Sequence, residues 1–367
     1  MKLAIQRAAL LKPLQMISGV VEKRQTMPIL ANVLLKVKEG KVYLTATDLE
    51  IELIGTASIE DVADFRPITV SARKLLDICR TLPEDSLLQL VQEQDHMVLR
   101  SGRSRFLLTT LPADEFPSIE EGVFTSEFTL NEGKFKKLLS KIYFAMGQQD
   151  VRYYLNGALF DINPGVMNCV ATDGHRLAWS SVSDINIQST GAKVILPRKS
   201  VLELIRLLDV TDELITVSVG DNHFRVQTAD FVFTSKLINA QYPDYTKLIP
   251  KQIENTAITC REALKQALTR ASILSSEKFR GIRLQLNSDT LRILANNPEQ
   301  EEAEEMMQMD YKGNQTEIGF NAAYLLDVVS ALASEDIRWS FNDPNGGVLF
   351  ESIEKDDSLY VVMPMRF

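Results

Sequence analysis

The chain has 367 residues, 45% of them hydrophobic and 24% charged, with 40 basic against 49 acidic residues and a net charge of −9. That length points to two or three domains rather than one core, and the composition is that of a soluble globular protein. No apolar run approaches the ~20 residues of a membrane span, and the acidic total, taken alone, argues against nucleic acid.

The N-terminal stretch MKLAIQRAALLKPLQ has charges inside its apolar run and no small-residue cleavage site, so it is not expected to be a secretory signal. Three widely spaced cysteines, Cys79, Cys169 and Cys260, sit in apolar or helical surroundings. They are expected to be buried free thiols in a reducing compartment.

In chain order, a pattern repeats three times. Each copy opens with a short strand and an amphipathic helix, over Leu3–Ser18, Phe128–Met146 and Ala257–Leu274. Two strands joined by a turn follow, from Leu30, Tyr154 and Gly281. The turn landmark Thr47-Asp48 recurs roughly 125 residues later as Thr172-Asp173, and in degraded form as Asn296-Asn297. A second helix comes next, over Ser71–Thr81, Pro197–Leu208 and Asn321–Leu332. Alternating strands from His96, His223 and Val348 close each copy, and their period of two marks antiparallel pairing.

The spacing therefore predicts an α+β chain of three similar domains, over residues 1–125, 126–254 and 255–367. Each domain contains the strand–helix–strands unit twice. Thr259-Cys260-Arg261-Glu262 reads as a capping box. Ser71 and Asn131 read as N-caps, and Pro197 as a first-turn residue. The strand of the second copy is expected to span Leu155–Phe160.

Five of the six helices carry cations on a face separate from the apolar one. These are Arg7 with Lys12, Arg73 with Arg80, Lys134 with Lys137 and Lys141, Lys199 with Arg206, and Arg261 with Lys265. Any one such face is ordinary solvated surface. Five in an acidic chain suit a surface that touches phosphates without reading bases. The balancing acid includes the run PEQEEAEE, which either faces solvent or meets a basic patch such as Arg100, Arg103 and Arg105.

Ring geometry adds a stoichiometry. Six helices at about 9 Å spacing close a circumference of about 55 Å and leave no usable hole. Twelve leave roughly 25–30 Å free. That passes a duplex about 20 Å across, so a ring requires two copies.

The stretches MPILANVLL, TATDLE, RSGRSRF, QDVRYYLNG, ATDGHRLA, FTSKL, YPDY, EKFRG, NNPEQEEAEE and YVVMPMR resemble those of the bacterial beta sliding clamps, the beta subunits of DNA polymerase III. The resemblance spans the whole chain. It implies a head-to-tail dimeric ring, helices inside and sheets outside, opened by an ATP-driven loader and holding polymerase on its template. It implies no catalysis, no metal and no cofactor, and a bacterial cytoplasmic, replisome-associated location. The implied partners are duplex DNA and primer–template junctions, a second copy, the polymerase III alpha subunit, the clamp loader, and other polymerases and repair proteins. No membrane is implied.

Three residue sets carry over from the family. Positions near duplex or template strand match Arg24, Arg73, Gln149, Tyr153, Tyr154, Arg198, Lys199 and Arg206. An aromatic such as Tyr154 suits stacking against a single-stranded base; the alternative is that both tyrosines pack at a strand edge. The partner-peptide pocket matches Leu155, Thr172, Gly174, His175, Arg176 and Leu177, then Pro243, Lys247 and Leu248, then Val362, Met363, Pro364, Met365 and Arg366. An apolar, Met-containing lining suits many short Gln- and Leu-rich peptides. Lys247 stands where some relatives have arginine, and Phe367 where they end in leucine. The dimer interface matches Lys74, Arg103, Arg105, Phe106 and Leu108 on one side. Ile273, Leu274, Glu299, Glu301, Glu302, Glu304 and Glu305 answer on the other, with apolar pairs at the core and charges at the rim.

Two rival readings are weaker. Asp173 and His175 resemble a general-base pair, but no nucleophile elbow, phosphate loop or metal spacing accompanies them. Asp48 repeats Asp173 without a following histidine, which favours turn chemistry. A sequence-specific DNA regulator lacks a helix-turn-helix or zinc motif. It would prefer particular sequences on linear duplex, whereas a clamp would not.

Overall fold

The computed structural model describes residues 2–21, 27–119, 122–185, 187, 191–251, 253–354 and 356–366. Six α-helices are described: α1 (Arg7–Ile17), α2 (Ala72–Thr81), α3 (Glu132–Ile142), α4 (Arg198–Leu207), α5 (Arg261–Ser272) and α6 (Ala322–Ala331). All strand pairing is antiparallel, in sheets of thirteen, nine and four strands.

The chain forms two compact units. One comprises Met1–Gly133, Asn186–Ser189 and Arg206–Leu237 and contains the thirteen-stranded sheet. The other comprises Lys134–Ile185, Thr190–Ile205 and Ile238–Phe367 and contains the remaining two sheets. These units cut through the second sequence repeat, because its strands pair in two directions. Phe231–Lys236 pairs with Ile51–Ser58 of the first copy, and Arg176–Ile185 pairs with Ser358–Val362 of the third. Backbone ladders therefore run straight across the repeat boundaries.

Side-chain caps open two of the six described helices. Ser71 caps α2 by accepting from the Lys74 N–H, and Asn321 caps α6 by accepting from Ala323 and Tyr324. Asn131 sits directly before α3. Helix α2 buries Ala72, Leu75, Leu76 and Cys79. Helix α1 holds Pro13 in its interior, which removes one backbone donor there. Pro13 is accommodated because Gly55 opposite has no side chain: a Cβ on Gly55 would lie 2.7 Å from the Pro13 Cβ.

Several expectations are corrected. The capping box at Thr259 does not form: α5 begins after Cys260 and has no side-chain cap. The Thr259 hydroxyl instead accepts from the indole N–H of the fully buried Trp339, at 3.1 Å. Cys260 is exposed, unlike Cys79 and Cys169. Pro197 ends its strand, and α4 starts one residue later. The second copy's strand runs Gly157–Asn163, preceded by a 3₁₀ turn at Tyr153–Leu155. The Asn156 side chain holds that turn by bonding both the N–H and the C=O of Asp150.

The helix cations divide into two kinds. Arg7 Nε donates to the Cys79 carbonyl at 2.8 Å, and Arg261 Nε to the Ser334 carbonyl at 3.0 Å. Each arginine opens the first helix of its copy and binds backbone at or just past the end of the second. At the equivalent place in the middle copy stands Glu132, which accepts from the Asp209 N–H and the Thr211 hydroxyl. The sign of the charge changes while the role persists, so this position clamps a helix pair. Lys141 is also not a solvent-facing cation: it is buried and ion-paired with Asp356. Arg73, Arg80, Lys134, Lys137 and Lys199 do lie on the surface.

Candidate nucleic-acid and partner-binding sites

The repeated turn is the framework of the peptide-pocket residues. Asp173 Oδ1 accepts from the backbone N–H groups of His175 and Arg176. Asp48 Oδ1 accepts from Glu50 and Ile51 in the same pattern. Thr172 and Thr47 each donate to a carbonyl four residues on. The residue after each aspartate has a left-handed backbone, Gly174 at φ +87° and Leu49 at φ +77°. Asp173 is thus a turn-forming acid, and its carboxylate binds backbone rather than the His175 imidazole.

Arg176 organises what surrounds that turn. Its guanidinium reaches Asp173 Oδ2 at 3.1 Å, Asp327 Oδ2 at 2.5 Å and the Phe144 carbonyl at 2.6 Å. It also lies over the rings of Tyr324 and Phe144, at 4.4 and 5.2 Å. The His175 ring stacks on Tyr324. The Met363 N–H donates to the His175 carbonyl, and Met365 bridges to Gly319, which fixes the C-terminal segment beside the turn.

An apolar cluster adjoins these residues. Leu159, Val170, Leu177, Ile195, Leu349 and Val361 are buried, with Trp179, Tyr242, Tyr245 and Ile249 packed against them. Leu155 and Val362 are buried as well, while Leu248 and Met363 are 45% and 38% exposed. A Cβ on Gly347 would meet Val361, the Met363 sulfur and the Leu248 carbonyl, so these three converge on one spot. The expected pocket residues of the second and third copies therefore fall in the same compact unit. Pro243, Lys247 and Arg366 stand exposed at its margins. Pro364 and Met365 are half-buried.

Sequence reasoning missed Asp327, Tyr324 and Phe144, which hold Arg176, and Tyr242, whose hydroxyl accepts from the Thr172 N–H. Burial pushes the Tyr242 phenol up. No spacing signal links residues that lie this far apart along the chain.

The expected DNA-contacting residues fall into four groups. Arg24 lies outside the described residues, as does Phe367. Arg73, Gln149, Tyr153 and Lys199 are exposed, with Gln149 at φ +55°. Tyr153 is 58% exposed, while Tyr154 is half-buried against the apolar cluster. Arg198 and Arg206 are already engaged. Arg198 donates to the carbonyls of Tyr143 and Met146, and Arg206 to that of Met16. Burial, with Arg176 nearby, lowers the Arg198 pKa.

Arg152, adjacent to this group, forks onto Asp150 at 3.0 and 2.8 Å and also donates to the Asp173 carbonyl. These bonds hold the Asp150 carboxyl at about 2, below its usual 3.8. A depressed carboxylate contributes stability above its unfolded value and loses it as pH falls through the folded one. The Arg152–Asp150 link is therefore expected to release between about pH 4 and pH 2. The Arg152 Nε–H resonance reports it; Asp150→Asn should abolish that transition, and an unchanged titration would refute the link.

Of the expected interface residues, Lys74, Arg103, Arg105, Glu299, Glu301 and Glu302 are exposed. Ile273 is 74% exposed, with Leu274 half-buried beside it. Leu108 is 7% exposed in the single chain, and its neighbour Leu107 is 51% exposed. Strand alternation turns Leu108 inward opposite Met97. Glu304 and Glu305 already pair within the chain, with Arg292 and Arg270. Those arginines hold both carboxyls below the usual range.

No described helix is long and apolar enough to cross a membrane. Family models for the N-terminal, central and C-terminal domains of the DNA polymerase III beta subunit match residues 1–120, 129–244 and 246–366. The beta sliding clamp of Pseudomonas aeruginosa is 50% identical over 367 residues, covering 100% of both chains. That of Escherichia coli K12 is 46% identical over 366 residues, again covering both fully. A solved Pseudomonas aeruginosa clamp, bound to griselimycin, aligns over 100% of both chains with TM-score 0.96 and 49% identity. The beta subunit of Thermotoga maritima aligns with TM-score 0.92 at 26% identity, over 100% of this chain and 99% of that one. The chain belongs to the beta sliding clamp family, the non-catalytic beta subunits of DNA polymerase III.

Proposed function

We propose that the chain pairs head to tail with a second copy to form a ring around duplex DNA. The ring slides without sequence preference, and it tethers polymerase III through the alpha subunit, along with other polymerases and repair proteins. A clamp loader opens it at primer–template junctions. The working place is the bacterial cytoplasm, at the replisome. Domain limits of 1–125, 126–254 and 255–367 follow the sequence repeat.

The observation that carries the tethering part is the convergence of Leu248, Met363 and Val361 beside the Thr172–Arg176 turn. Partly exposed apolar side chains such as Leu248 and Met363, beside a buried apolar cluster, suit short peptide ligands. Arg73, Gln149, Tyr153 and Lys199 are exposed, which supports their meeting DNA; Arg206 is exposed as well but donates to the Met16 carbonyl. Arg198 and Arg206 support backbone instead.

The pocket is tested by the double variant Leu248→Ala, Met363→Ala. Both side chains are substantially exposed, so truncation should spare the fold. Losing two central apolar contacts is expected to weaken a Gln- and Leu-rich peptide by roughly 30–100-fold, or about 2–3 kcal/mol. Fluorescence anisotropy reads this directly. Unchanged affinity would place peptide binding elsewhere.

A further inference from the structure

A further concavity is lined in part by residues 240–246, and it shares Pro243 with the expected peptide pocket. It encloses about 540 Å³, within the roughly 300–1,000 Å³ of typical ligand sites. Leu159, Ile195 and Ala240 form apolar lining, and Tyr242 and Tyr245 form aromatic lining. Asp161 contributes a carboxylate that is only 11% exposed. One of its oxygens accepts from Asn163 at 3.0 Å. The other meets Lys193 Nζ at 3.2 Å, but the Lys193 side chain is 68% exposed. The buried anion is thus neutralised by a largely solvated cation. Such a pairing is weak and exchangeable.

Tyr242 connects this cavity to the pocket. Its ring lines the cavity, while its hydroxyl accepts from the Thr172 N–H of the pocket turn. Tyr242 and Tyr245 also pack against the cluster that contains Leu177 and Val361. The two recesses therefore share a wall.

Resting on the peptide-pocket reading above, we infer that this cavity is a second anchor for partner peptides, one that takes the guanidinium of an arginine flanking their apolar residues. The arginine displaces Lys193 from Asp161. Its planar fork matches the carboxylate, and its stem and face lie among the aromatic and aliphatic side chains. An arginine is favoured over an ammonium here because it is less strongly hydrated and accepts burial more readily.

The test uses one Gln- and Leu-rich peptide in three forms. A short Gly/Ser spacer at one end or the other carries arginine, its neutral isostere citrulline, or alanine. On the wild-type protein, arginine on one of the two ends is expected to bind about tenfold tighter than citrulline. Asp161→Asn should erase that difference without altering the alanine peptide. Lys193→Met removes the competing cation and should enlarge the difference, which keeps the test valid if Asp161→Asn folds poorly. If the alanine peptide binds but arginine and citrulline are equal at both ends, the anchor is refuted and the pocket stands. If no form of the peptide binds, the pocket reading fails first. An arginine preference that survives Asp161→Asn would place the recognition elsewhere and overturn the inference.

Discussion

The double variant Ile273→Ala, Leu274→Ala is expected to be a monomer at nanomolar concentration. Ile273 is 74% exposed in the single chain, an unusual position for a large aliphatic residue at a helix end. Truncating two buried aliphatic side chains at an interface core removes about 3 kcal/mol. A head-to-tail dimer that closes as a ring has two identical interfaces, so separating the subunits breaks both. The loss then doubles to about 6 kcal/mol, roughly four decades in the dissociation constant. Leu107→Ala should add to this, because Leu107 faces outward; Leu108→Ala should chiefly weaken the fold. Sedimentation at nanomolar concentration decides the matter. A native mass that stays dimeric in the double variant would move the interface away from this helix end.

Arg176→Ala is expected to give a large stability loss at the pocket. The side chain is 10% exposed and binds two carboxylates and one carbonyl while covering two rings. Breaking a buried pair usually costs 3–5 kcal/mol, because a charge is left unmatched. Here Asp327 is 44% exposed and can return to solvent, and Asp173 keeps two backbone donors. The expected loss is therefore near the lower end, about 3 kcal/mol. Arg176→Lys should recover little of it, since one ammonium cannot reach three separated acceptors. Peptide affinity should fall together with stability, because the turn that presents Thr172 and Leu177 loses its brace. Hydrogen exchange of the residue 172–177 amides, with a thermal melt, measures both. A loss under 1 kcal/mol with unchanged exchange would show that the turn stands without the arginine.

How much was legible depended on the range of the interaction. The Thr-Asp turn is built within five residues, and its spacing in the first two copies foretold matching hydrogen bonds at Asp48 and Asp173. Helix faces were legible for the same reason: α2 buries the apolar stripe that its period requires. Cations were harder. Arg7, Lys141 and Arg261 look like surface charges on a helical wheel, but each finds its partner 72, 215 and 73 residues away. The capping box at Thr259 failed because a distant indole claimed the hydroxyl. Tyr242, Tyr324 and Asp327 joined the pocket through folding that no local pattern encodes.

The proposed ring grips DNA topologically. The protein should be labelled, loaded by a clamp loader with ATP onto a nicked circle, and washed in high salt; half of the sample is then linearised. A closed ring predicts retention on circles and loss from linear molecules, since sliding off an end needs no contact to break. Equal loss from both would mean that salt-sensitive phosphate contacts were the whole of the grip, and would contradict the encircling ring.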